Sequence, residues 1–164
     1  MKRNDKGFTL VELIIIIAIM AVLSLSVISY IGMIGGAEAK RCANGLKTGF
    51  SQTKVCAMSR SSASMTVYAD NTGVYIKTVQ GSGERVEKIG KSGTKVEFRT
   101  VRDSDVFTVV GNTPATGVKI EFDRASGACK KMVGGDYCYG FKVTAGQTEY
   151  IVNIEPLTGK VSIQ

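Results

Sequence analysis

Lys6-Gly7-Phe8-Thr9-Leu10-Val11-Glu12-Leu13 is the stretch on which the reading of this chain turns. A charged leader, Met1-Lys2-Arg3-Asn4-Asp5-Lys6, meets Gly7, and an apolar run begins at once with Phe8. That run contains one charge, Glu12, close to its start. An ordinary secretory signal places its apolar stretch before the cleavage site and small residues at the cut. Here the apolar stretch follows Gly7, and nothing like Ala-x-Ala closes it. From Leu13 to Ile34 the chain is uncharged, which as a helix would rise about 33 Å, enough for the bilayer hydrocarbon. Lys2, Arg3 and Lys6 precede it, so the positive-inside bias predicts a cytoplasmic N-terminus and an extracytoplasmic remainder. A carboxylate inside a membrane helix costs about 2.5–3.5 kcal/mol on insertion scales, which marks Glu12 as functional.

The same residues resemble the class III signal of type IV pilins and type II secretion pseudopilins. By that resemblance prepilin peptidase cuts between Gly7 and Phe8, the new amine of Phe8 is N-methylated, and Glu12 holds the acidic assembly position. The implied domain plan is a leader over 1–7, a long helix over 8–61 with its transmembrane part at about 8–34, and a head over 62–164.

Periodicity supports that plan independently. Ser24, Ser26 and Ser29 make the outer half of the apolar run more polar than the Ile-rich inner half. Gly32, Gly35 and Gly36 each weaken a helix by about 1 kcal/mol relative to Ala. They read as a soft spot and not as a stop, because helical pattern resumes directly. Ala43, Leu46, Phe50 and Ala57 are spaced to share one helical face. No proline precedes Pro114, so one helix to about Ser61 is the economical reading.

After Ser61 the chain turns to short alternating runs separated by glycine-rich turns. Met65–Ala69 and Val74–Val79 around Asp70-Asn71-Thr72-Gly73 read as a hairpin. Further strands are expected at 95–101, 106–110, 118–122, 139–144, 149–154 and 160–163. The predicted fold class is therefore α+β, a long N-terminal helix packed on a small antiparallel β-rich head. Gly117–Gly127, with Ile120-Glu121-Phe122-Asp123 and Gly127, and the end Thr158-Gly159-Lys160-Val161 resemble the H-type (FimT-type) minor pseudopilins. So does the helix end around Ala57–Ser62.

The formal net charge is +7, and removal of the leader, with Lys2, Arg3 and Lys6 against Asp5, leaves +5. A basic surface suits solvation, anionic cell wall or lipid, or nucleic acid. Lys130, Lys131 and Lys160 are the candidate nucleic-acid contacts, with Tyr137, Tyr139 and Phe141 as nearby aromatics. DNA-binding FimT-type proteins carry a Gly-Arg-x-Arg element, whereas the corresponding Gly159-Lys160-Val161-Ser162 has lost both arginines, which counts against strong DNA binding.

Four cysteines and no histidine argue against zinc ligation and Cys-His catalysis, and there is no Cys-x-x-Cys. Cys42 and Cys56 would stand ~21 Å apart on one helix, too far to bridge. They read as core or helix-surface residues, or as partners of head cysteines. Cys129 and Cys138 flank Gly134-Gly135 and are either a disulfide pair or free buried thiols. Asp103, Asp105, Glu121 and Asp123 resemble ordinary exposed charges, so no catalytic residue, metal or cofactor is expected.

What the resemblance implies is a non-enzymatic minor pilin or pseudopilin of a type IV pilus or type II secretion pseudopilus. Its expected partners are other pilin subunits, prepilin peptidase, an assembly platform protein, an ATPase and the membrane. Its expected placement is single-pass in a membrane, then in a cell-surface or periplasmic filament. The competing readings are a DNA-binding minor pilin for DNA uptake and a surface-adhesion tip subunit.

Overall fold

Thr9 caps the start of a helix. Its backbone is extended (φ −76°, ψ 149°), and its Oγ1 accepts a 3.3 Å hydrogen bond from the N–H of Glu12. A Thr-x-x-Glu start satisfies one of the donors that every helix N-terminus leaves unpaired. The computed structural model describes residues 9–59 and 62–164, and over 25–34 the backbone alone. In it one α-helix, α1, runs unbroken over Leu10–Met58. It ends at Ser59, whose N–H donates back to the carbonyls of Val55 and Cys56. The glycine soft spot does not interrupt it.

Two antiparallel sheets follow. The first has the order β3-β2-β1-β6, built from β1 (Ala63–Asp70), β2 (Gly73–Gln80), β3 (Gly83–Lys91) and β6 (Val118–Glu121). The second has the order β5-β4-β7-β8-β9. Its strands are β4 (Lys95–Arg99), β5 (Thr108–Val109), β7 (Gly140–Ala145), β8 (Thr148–Glu155) and β9 (Lys160–Ile163). The β1–β2 hairpin closes on Asp70, whose carboxylate accepts from the N–H groups of Thr72 (2.7 Å) and Gly73 (3.0 Å). The architecture is α+β, a long N-terminal helix against an antiparallel β head, consistent with a pilin-like fold.

The second half of α1 lies against both sheets and supplies their shared core. Ala39, Cys42, Ala43, Leu46, Phe50, Thr53 and Ala57 form its buried face, and all four residues expected there from periodicity are in it. Phe50 joins the sheets: its ring meets Phe122, just after β6, at 5.7 Å and Phe141 of β7 at 6.3 Å, both edge-on. Such aromatic pairs add to the area they bury. Thr53 is buried but returns its hydroxyl to the Gly49 carbonyl at 2.7 Å, so that hydroxyl is not stranded.

Glycines let the layers close. A Cβ on Gly45 would stand 2.8 Å from Ile89 Cβ, and one on Gly49 would stand 2.8 Å from Ile76 Cδ1. At Gly35 it would stand 2.8 Å from the Ala145 carbonyl oxygen in the β7–β8 turn. Gly35, Gly45 and Gly49 therefore mark places where the head touches α1.

Among the described residues no helix is long and apolar enough to cross a membrane. That overturns the single-pass placement, with cytoplasmic N-terminus and extracytoplasmic head, expected from the sequence.

Candidate assembly site

The candidate site is the N-terminal end of α1. Gly7 and Phe8 lie outside the described residues. Glu12 sits in the first helical turn, three residues after the cap, where a negative charge complements the positive end of the helix dipole. Its backbone N–H serves the cap; its carboxylate has no ion-pair partner among the described residues. The Thr9–Glu12 cap was readable in the sequence as Thr-x-x-Glu before an apolar run, and it gives Glu12 a local role beside any role in assembly.

From Leu10 to Ser24 every side chain is exposed. Leu10 is 75% accessible, and Ile17, Met20 and Val22 each exceed 60%. A soluble monomer rarely exposes so large a contiguous apolar surface. Apart from Glu12, this segment of α1 is apolar around its circumference, whereas the half beyond Ala39 buries one stripe and leaves Lys40, Arg41, Lys47 and Gln52 in solvent. A helix that is apolar all round requires cover on all sides.

The candidate nucleic-acid residues do not line one depression. Lys130 lines a groove beside β6 with Lys119, Arg124, Glu121 and Asp123. Lys160 lines a separate cleft over β8 and β9 with Arg99, Arg102, Asp103 and Glu155. Lys131 stands over the Tyr137 ring, 5.7 Å from its centroid. Carboxylates interleave with the cations: Lys119 pairs with Glu121 at 2.7 Å and Arg102 with Glu155 at 3.0 Å. The hydrogen bond from Lys119 holds the Glu121 carboxyl below its ordinary range. Of the aromatics, Tyr137 and Tyr139 remain partly accessible, but Phe141 is fully buried and has no free face.

The Phe122–Gly127 element is a structural turn. The Asp123 carboxylate accepts from the Ser126 hydroxyl (2.8 Å) and from the N–H groups of Ser126 (2.9 Å) and Ala125 (3.1 Å). Those bonds hold its carboxyl below the usual range. The turn leads into Cys129, which bridges back to Phe122, while Lys54 of α1 donates from Nζ to the Thr158 carbonyl at 2.7 Å and ties the last hairpin down.

Cys129 and Cys138 are free thiols, both buried, as is Cys42; Cys56 is half-buried. Burial pushes Cys42 and Cys138 up to about 12 and Cys129 to about 11, so all three are neutral near pH 7. Among the described residues no group of three or more Cys, Asp or Glu is placed to hold a metal.

Comparison of the chain with curated proteins and with solved structures gives no match. Residues 2–28 match the family model described as the prokaryotic N-terminal methylation motif. That span contains the leader, Gly7, Phe8 and Glu12 and reaches into the exposed apolar half of α1. The chain thus carries an N-terminal methylation motif of the kind typical of type IV pilins and pseudopilins.

Proposed function

We propose that the chain is a structural subunit, a minor pilin or pseudopilin, of a type IV pilus or type II secretion pseudopilus. Prepilin peptidase cuts it between Gly7 and Phe8, Phe8 is methylated, and the mature subunit assembles through α1. One observation carries this reading: the methylation motif over 2–28 is continuous with a helix whose Leu10–Ser24 segment is exposed and, apart from Glu12, apolar on every side. Equivalent helices of neighbouring subunits would cover it, through repeating contacts that need not close into a ring. An assembly platform protein and an ATPase are the partners such growth requires. The Asp123–Gly127 turn and the final hairpin favour an H-type (FimT-type) minor subunit.

The test is Gly7→Val. Only glycine leaves the backbone at the cut free of a side chain, so the variant should keep its leader and an unmethylated Phe8. Intact-mass measurement of the purified protein reads this directly. Normal removal of residues 1–7 in the variant would overturn the proposal.

A further inference from the structure

β3 is an edge strand, and its residues Gly83–Lys88 are all exposed. Gly83-Glu84-Arg85-Val86-Glu87-Lys88 follows a two-residue turn, Gly81-Ser82, closed by the pair Gln80 and Gly83. Gly81 has φ +57°, as the first central position of a type II′ hairpin requires. The closing pair of such a hairpin exchanges both backbone hydrogen bonds, and bonded and non-bonded pairs then alternate. Arg85 and Glu87, opposite Thr78 and Ile76, therefore bond inward to β2. Glu84, Val86 and Lys88 turn their N–H and C=O groups to the open edge.

We infer that this edge pairs, antiparallel and about a two-fold axis through Val86, with β3 of a second copy of the chain. The charge pattern selects the occupant and the register. With Val86 opposite Val86, Glu84 stands opposite Lys88 of the second copy and Arg85 opposite Glu87, each twice by symmetry. Residues directly opposite share a face, so Arg85 and Glu87 meet on the helix side and Glu84 and Lys88 on the other. Moving the register by one step in either direction sets Arg85 against Arg85 or Glu87 against Glu87. A charged edge normally discourages pairing; this one discourages every partner except its own reverse.

The charged side chains lie at the surface in weak local contacts, Lys88 with its Nζ 5.8 Å from the Tyr75 ring centroid. Arg85 and Glu87 are 3.4 Å apart within the chain and largely exposed, and Val86 is 53% accessible. Glu84 accepts Lys77 at 2.8 Å, and the second copy's Lys88 would approach its open side. On the helix side, Arg85 and Glu87 border a groove of about 470 Å³ against Gly45, Thr48, Gly49 and Gln52 of α1. The second strand would roof that groove and join the two four-stranded sheets into one. This pairing does not depend on leader cleavage or on filament growth.

The test uses the full chain with Cys56→Ser, dispersed in excess mild detergent so that the apolar helix is covered one copy at a time. Val86→Cys should form a disulfide dimer on mild oxidation, since opposed residues of a bonded antiparallel pair lie about 5.5 Å apart at Cα, within disulfide reach. Glu84→Cys mixed with Lys88→Cys should give the heterodimer, while Glu84→Cys alone should give none. Arg85→Glu should lower the Val86→Cys dimer yield roughly tenfold by making two like-charge pairs, and adding Glu87→Arg should restore it. The melting transition shows that each variant is folded. Absence of the Val86→Cys dimer in folded protein, or dimers of Glu84→Cys with itself at the same yield, would overturn the pairing.

Discussion

Single substitutions separate the helix cap at Glu12 from its charge. Its backbone N–H completes the Thr9 cap, and its carboxylate has no ion-pair partner among the described residues. Thr9→Ala should cost the helix end about 0.5–2 kcal/mol, visible as faster amide exchange over the first turn, with the charge intact. Glu12→Gln keeps the N–H and the size but removes the charge. Under the proposed assembly that charge neutralises the methylated amine of Phe8 on the next subunit, and leaving one member of such a buried pair alone costs about 3–5 kcal/mol. Leader removal should continue in Glu12→Gln while its content in sheared filaments falls more than tenfold; an unchanged content would remove the assembly role.

Close approach governs how the helix and the sheets fit. Gly45 and Gly49 lie one helical turn apart, yet their neighbours differ in freedom. The atom in the way at Gly49 is Ile76 Cδ1, the far end of a flexible side chain, whereas at Gly45 it is Ile89 Cβ, fixed to the backbone of β3. Replacing glycine by alanine inside a helix gains about 1 kcal/mol, and overpacking costs about 1–3 kcal/mol. Gly49→Ala should therefore leave the protein as stable or up to about 1 kcal/mol more stable. Gly45→Ala should lose about 1–2 kcal/mol. Urea denaturation of the two variants checks the order. Ile89 itself is set by tertiary pairing: the β2–β3 register slips between Val74 and Tyr75, and Ile89 falls opposite no β2 residue.

Across the whole molecule one core serves both sheets, and it holds three thiols. Cys42, Cys129 and Cys138 belong to it, and desolvation raises each above an ordinary 9.0, to about 12, 11 and 12. Glu38 adds to the rise at Cys42, while Lys54 opposes it at Cys129. Above pH 9 the unfolded chain releases these protons and the folded chain retains them, so stability falls as pH rises from about 9 toward 11–12. The urea midpoint should decline over that window, and less steeply once Cys42 and Cys138 are replaced by Ala. At neutral pH an alkylating reagent should reach Cys56 first, the other three reacting only on unfolding.

Much of this plan was legible in the chain, because the periods that encode it are local. The change from a continuous apolar run to a stripe at Ala43, Leu46, Phe50 and Ala57 prescribes a helix with two kinds of surface. Alternation and turn glycines prescribe most of the strands, with β9 at its expected bounds. β3 was not legible, since Glu-Arg-Val-Glu-Lys carries no apolar alternation; it is a strand because a two-residue turn folds it onto β2. The three lysines are near one another in the chain or in the hairpin plan, but the fold assigns Lys130 and Lys160 to separate depressions among carboxylates. The single-pass placement rested on hydropathy summed over Leu13–Ile34, and no helix among the described residues carries it. By itself the sequence determined the methylation motif, the long helix and its buried stripe, whose signals lie within a few turns of chain. Only the tertiary structure decided which glycines admit the sheets, that Phe50 joins them, and that β3 is left as an open edge, because each depends on residues brought together from distant parts of the chain.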